Sequence, residues 1–333
     1  MNPLELTMAI GPYDHVRGVT DGSIRVEGVS LRTLDLPIEE IFHRFTLHRE
    51  WDITEMSMGK YASLVGHGDT SVAAIPVFVS RAFRLSMFYV REDSPLRGPR
   101  DLAGLRIGLP EWAQTACIYG RGYLSDYAGL RLSDMRWFQA GVNEAGRIDK
   151  VRMALPDGVS YTTVPDASLN DMLMDGELDV VMTARAPRDV GQGIRRLIPD
   201  YRTAEEQYFR ETGIFPIMHV LVIKRDVIER HPWVAMNLYK AFAEAKKRSL
   251  ERLADITASY APMPWLAHSS EAMASCFGDD FFPYGVGPET GGAINRRTLA
   301  AFLRYATEQG VSPRPLEVDA LFPRSVLPPT FRV

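Results

Sequence analysis

The sequence predicts an α/β protein of two lobes, on three observations. Strand patterns and helix-spaced patterns alternate along the chain, the signature of largely parallel sheets covered by helices. The length, 333 residues, suits two units at ~150 residues each. Two crossing segments divide the chain, one at the extended stretch Arg84–Val90 and its polar continuation, the other just before a strand that opens at His219. Residues 1–92 and 216–333 are expected to form lobe I and residues 93–215 lobe II, with a ligand cleft between them.

Each element has a local reason. Leu4, Leu6, Met8 and Ile10 alternate with Glu5, Thr7 and Ala9, which reads as a first strand ending at Gly11-Pro12. The polar loop Tyr13-Asp14-His15-Val16-Arg17-Gly18 follows. Val29, Leu31 and Thr33 mark a second strand, and Pro37-Ile38-Glu39-Glu40 opens a helix with acids at its positive dipole end. Asp52–Met56 is a short strand leading to Ser57, a suitable N-cap, and Ile75–Phe78 is a further apolar run. Beyond the crossing, Leu105–Leu109 is a fresh strand, and a helix runs from about Thr115 to Ala128. Asp175-Gly176 ends another helix, and Asp179–Thr183 reads as a buried strand. His219–Ile223 returns the chain to lobe I, Val234, Leu238, Ala241, Phe242 and Ala245 recur at helical spacing, and the Pro-rich C-terminus reads as an extended surface tail.

Bulk properties narrow the function. A formal net charge of −4 and the absence of a basic stripe argue against a nucleic-acid partner. No long apolar run predicts a membrane span. The N-terminal residues alternate like a folded strand instead of forming the apolar block of a secretory leader, so the expected compartment is the cytoplasm. Cys117 and Cys276 have neither disulfide-framework nor metal-ligand spacing and read as small buried side chains. The sequence leaves homo-oligomer formation open.

Several motifs carry a family resemblance along nearly the whole chain. They are YDHVRGVTDG (13–22), EMSMGKY (55–61), IPVFVSRAFRLSMFYV (75–90), GLPEWAQTACIYGRGYLSDYAG (108–129), TGIFPIMHVLVIKRD (213–226), FPYGVGPE (282–289) and AFLRYATEQG (301–310). In this order they resemble the 4,5-dihydroxyphthalate decarboxylase family. The order of elements is similar to the two-lobed type II periplasmic-binding-protein-like fold, whose first lobe is discontinuous. The chain departs from the family pattern at His15, where Arg is common, and at Leu85, where His often follows the Phe-Arg pair.

The resemblance implies a reaction that removes carbon dioxide from 4,5-dihydroxyphthalate to leave 3,4-dihydroxybenzoate. Each carboxylate lies para to a ring hydroxyl, so losing the hydroxyl proton pushes electron density onto the carbon to be protonated. The ring oxygen is the electron reservoir, and no organic cofactor is required. Arginines suit the carboxylates through planar bidentate bonds, which makes Arg17, Arg81, Arg84 and Arg185 the expected substrate anchors. His219 is the leading proton donor, because histidine alone titrates near neutral pH unperturbed. Asp14 and Glu111 are the alternative acid–base groups, each equally able to orient an arginine, and His15 is a further binding candidate. Glu55 either faces the cleft or bonds its turn, Thr115 begins a helix whose amides favour an anion, and Trp112 offers a stacking face. A divalent metal held by His219, Glu55 or Asp14 is a secondary expectation, without tight ligand spacing. The competing function is a solute-binding protein for an aromatic carboxylate, using the same cleft and arginines. A third, a biosynthetic relative such as a pyrimidine-precursor enzyme, has no Cys/His-rich motif to support it.

Overall fold

The computed structural model describes residues 2–327. The chain lays down β1 (Leu4–Ala9), β2 (Val29–Leu34), β3 (Ile53–Ser57) and β4 (Val72–Arg81). It then builds β5 (Phe88–Arg91), β6 (Arg106–Leu109), β7 (Arg136–Gly141), β8 (Ser160–Ser168), β9 (Val180–Met182) and β10 (Ile194–Arg196), and comes back as β11 (Ile217–Lys224). Two sheets result, with strand orders β2-β1-β3-β11-β4 and β10-β5-β9-β6-β7-β8. In the first, β1 runs parallel to β2 and β3, and β11 is inserted antiparallel between β3 and β4. The first sheet is therefore discontinuous in sequence, and the whole second sheet is threaded between β4 and β11.

The central strands are buried on both faces and read accordingly. Ile53 to Met56 and eight consecutive residues of β4, Val72 to Val79, are buried, the pattern of strands covered on both sides. The helix over residues 38–48 docks on this sheet through Ile41 and Phe45, both almost fully buried. It stops at Arg49, whose left-handed backbone (φ 50°) is unusual for a residue with a side chain. The Arg49 guanidinium offsets that cost by donating to the Phe45 carbonyl at 2.8 Å and lying over the Phe45 ring at 5.0 Å.

The two sheets meet where the helices over 58–66 and 115–126 begin. A Cβ on Gly59 would stand 2.3 Å from the Ala113 carbonyl, so only glycine permits this backbone approach.

Four readings of the sequence change. Arg84–Val90 is not one extended run: a 3-10 turn over Leu85–Met87 separates Arg84 from the strand. Phe88–Arg91 pairs with β9 and β10 in the second sheet, so the chain leaves the first sheet earlier than residue 92. The strand Ser160–Ser168 has little apolar alternation and was not legible; its residues are mostly exposed along one edge. The C-terminal segment is not a surface tail as far as residue 327, because Val318, Leu321, Phe322 and Val326 are buried. Residues 328–333 lie outside the described residues.

Candidate active site

Glu55 organises the site. It lies on β3 with its side chain fully buried, and a buried carboxylate needs donors on both oxygens. Oε2 accepts the Gly11 backbone N–H at 2.9 Å. Oε1 accepts the Tyr13 hydroxyl at 2.6 Å and the Nδ1–H of His219 at 2.5 Å. The loop after β1 supplies two of these donors. Gly11 is required there because a Cβ would stand 2.8 Å from the Tyr13 ring, which folds back over it. Burial, and then the neighbouring Glu55 carboxylate, pushes the Tyr13 hydroxyl far above the ordinary phenol range, so it stays a donor.

His219 is reached from β11. Its cross-strand partners are Ser57 on β3 and Ser80 on β4, with the register shifting on the β4 side at His219. The Phe42 ring meets it edge-on at 5.0 Å and 89°. With Nδ1 committed to Glu55, Nε2 has no hydrogen-bond partner among the described residues, and the side chain is 21% exposed. The carboxylate thereby selects the tautomer and aims Nε2 outward.

His15 sits on the other side of Tyr13, with ring centroids 5.5 Å apart. Its Nε2 lies 3.1 Å from the Val79 carbonyl, which can only accept, so Nε2 carries the hydrogen and Nδ1 is the acceptor. Burial pushes this imidazole down to about 4, against the opposing pull of the Val79 carbonyl, Asp14 and Glu55. His15 is therefore neutral near pH 7.

Thr115 closes the site from the second sheet. Its hydroxyl lies 2.9 Å from Ser57 Oγ and accepts the Gly59 N–H at 2.9 Å. Ser57, the expected N-cap, makes no side-chain bond to its own helix and uses its hydroxyl across the gap instead. Arg84 stands at the crossing, half-buried, with Nε directed at the Met218 sulfur at 3.4 Å. Among the described residues it has no ion pair within 4 Å, and the Glu205 carboxylate acts on it from further off.

The remaining expected residues go elsewhere. Asp14 turns outward to Ser249 at 2.6 Å and Arg252 at 2.7 Å; burial would raise its carboxyl, but these donors outweigh it and hold it low. Arg17 is largely exposed and lies 3.9 Å from Asp21. Arg81 is buried and spends its Nη atoms on Pro283, Asn295 and Phe215, with its ionisation pushed down to about 9 by burial. Glu111 is bound by Arg147 at 2.7 Å, with Lys150 at 3.9 Å. Arg185 pairs with Glu39. Trp112 is fully buried, its Nε1 donating to the Gln309 carbonyl and its face covered by Arg121 at 3.9 Å. It is core and offers no stacking face to a ligand. Among the described residues, no group of three or more His, Cys, Asp or Glu side chains is placed to hold a metal ion; the carboxylate of Asp14 faces the helix over 233–254 and does not join His219 and Glu55.

Ser57, Ser80 and Phe42 were not singled out as site residues by sequence. Their signal was register: each is ordinary alone and becomes part of the site only through pairing with, or packing on, His219.

No family model matches the chain. A 4,5-dihydroxyphthalate decarboxylase of Comamonas testosteroni is 35% identical over 326 residues, covering 97% of each chain. One of Pseudomonas putida is 37% identical over 214 residues, covering 63% of this chain and 83% of that one. Among solved structures, the periplasmic aliphatic sulphonate binding protein SsuA of Escherichia coli superposes with a TM-score of 0.53 at 13% identity, covering 97% of this chain and 99% of that one. An alkanesulfonate-binding SsuA of Xanthomonas axonopodis gives 0.50 at 10% identity, with 97% and 99% covered. The fold is thus that of the type II periplasmic binding proteins, and the chain belongs to the 4,5-dihydroxyphthalate decarboxylase family.

Proposed function

We propose that this protein decarboxylates 4,5-dihydroxyphthalate, or a closely related hydroxylated aromatic carboxylate, without oxidation, releasing carbon dioxide and 3,4-dihydroxybenzoate. The observation that carries this reading is the buried Glu55 carboxylate on Nδ1 of His219, with Nε2 unpartnered among the described residues. That pair is the apparatus for delivering one proton from a fixed direction.

In this scheme Arg84 takes a substrate carboxylate, since it brings a cation to the crossing and, among the described residues, meets no carboxylate within 4 Å, Glu205 acting on it from further off. The neutral His15 accepts a hydrogen bond from the ring hydroxyl at Nδ1, which polarises the O–H bond and builds density on the carbon para to the oxygen. His219, in its protonated form, transfers the Nε2 proton to this carbon, and Glu55 holds the ring in place through Nδ1. The bond to the carboxylate then breaks, carbon dioxide departs, and the electron pair returns to the ring. The ring oxygen keeps its hydrogen, and His219 is recharged from solvent, so one proton is consumed per turnover. The ring oxygen holds the electrons throughout, and the scheme uses no organic cofactor.

We place the enzyme in the cytoplasm, a reading supported by its two free cysteines. Among the described residues, no helix is long and apolar enough to cross a membrane. Mixing purified protein with 4,5-dihydroxyphthalate and following carbon dioxide tests the function. Stoichiometric release is expected; tight binding with no release would make the chain a solute binder.

A further inference from the structure

Arg121, on the helix over 115–126, is a fully buried charge. Its guanidinium lies 3.9 Å from the ring centre of Trp112 and 5.9 Å from that of Trp137. Nε donates to Gln309 Oε1 at 2.8 Å and Nη2 donates to the Trp112 carbonyl. Nη1 is buried with no hydrogen-bond partner among the described residues. Among them, no carboxylate meets the guanidinium within 4 Å, and Asp149 acts on it from further off. Burial pushes its ionisation down only to about 10, so it stays a cation at neutral pH. Holding an ion away from water without a counter-charge is strongly unfavourable.

Arg121 lines a pocket of about 350 Å³ between its own helix, the loops over 131–133 and 156–159, and the end of the helix over 290–308. A Cβ on Gly122 would stand 2.5 Å from the Tyr305 ring, so glycine lets the two helices pack directly beside Arg121. Arg131 and Arg304 line the same pocket and are far more exposed. Arg131 pairs with Asp134 at 2.8 Å, and Arg304 with Asp126 and, at 3.1 Å, with Glu308. Exposed pairs of this kind are weak and exchange readily for a ligand. Asp157 and Glu308 also line the pocket and oppose an anion, but both are exposed, where water and salt screen them. Arg121 lies where the dielectric is lowest, so its charge dominates the floor.

We propose that this pocket is an anion-binding site, in which a small oxyanion, a phosphate or a carboxylate group, supplies the counter-charge that Arg121 lacks, with Arg131 and Arg304 holding it from the rim. Guanidinium edges suit either group through paired N–H donors. The Nη2 bond to the Trp112 carbonyl ties the site to the turn three residues before Thr115, whose hydroxyl meets Ser57 across the sheets. An occupant therefore steadies the segment that carries this bridge. None of the lining residues belongs to the Glu55–His219 site, and the proposal does not rest on the decarboxylase reading.

Calorimetric titration tests it, with inorganic phosphate and, separately, acetate added at constant ionic strength and sodium chloride as the control. Wild type should bind one or both saturably, with a Kd of about 1 mM or below, and chloride should give no isotherm. The probe that binds tells a phosphate site from a carboxylate site. Arg84→Met, in which an anion has no anchor at the crossing between the sheets, should show the same isotherm. Arg131→Glu changes only an exposed side chain and should weaken binding at least ~tenfold. Arg121→Met should abolish it; if that variant does not fold, Arg131→Glu and Arg304→Gln carry the test. No saturable binding of either probe overturns the proposal. So does an isotherm that survives Arg131→Glu unchanged, or one that disappears in Arg84→Met.

Discussion

One oxygen of Glu55, Oε1, accepts both from His219 at 2.5 Å and from Tyr13 at 2.6 Å. Glu55 is therefore committed within the protein. Replacing it with Gln keeps the shape but substitutes an amide N–H for one acceptor, facing three donors. At least one buried donor loses its partner, which should cost ~1–3 kcal/mol of stability. Chemical denaturation of Glu55→Gln checks this, and kcat should fall with it because the His219 tautomer is no longer enforced. Unchanged stability would mean the network repacks freely.

His15 predicts an acid-sensitive fold. Free histidine titrates near 6.5 and His15 in the folded chain near 4. Between these values the unfolded chain binds a proton that the folded chain refuses, so stability falls as pH drops through this window. The groups facing the ring, Asp14, Glu55 and Lys246, are included in that shift. Relative to His15→Gln, wild type should lose roughly 2 kcal/mol between about pH 7 and about pH 4.5. Parallel unfolding curves at both values would show that His15 charges within the folded protein.

Thr115 makes two hydrogen bonds across the sheets, to Ser57 and from Gly59. Thr115→Ala should cost ~1–3 kcal/mol because the Gly59 N–H is left buried and unpaired, and Thr115→Ser should recover most of it. Thermal unfolding of the two variants separates this from a packing effect, in which Ser would be as poor as Ala.

The sequence made the fold legible because β1, β3, β4 and β11 are patterned by burial, which periodicity reports directly. The exposed edge strand Ser160–Ser168 carries no such pattern. Of the residues singled out by sequence, the structure brings His219 and Glu55 into contact and sets His15 and Thr115 beside their neighbours Tyr13 and Ser57. Where the arginine side chains end was not legible, because charge type does not say where a long side chain points. Arg81 lies buried under the Phe215 ring and Arg17 points to solvent, although both follow strands of the same sheet. Trp112 misled for a similar reason: a tryptophan beside a cleft motif looks like a platform, but Arg121 and Trp137 already cover it.

The central claim is that His219 delivers the proton to the ring carbon, and single-turnover carbon dioxide release by His219→Asn tests it most directly. The Asn amide can occupy the place of Nδ1 and still donate to Glu55, while nothing replaces Nε2. Substrate should bind with near-normal affinity, and release from the bound state should slow by at least ~100-fold. Release at the wild-type rate would contradict the account and move the proton donor to another group in the cleft.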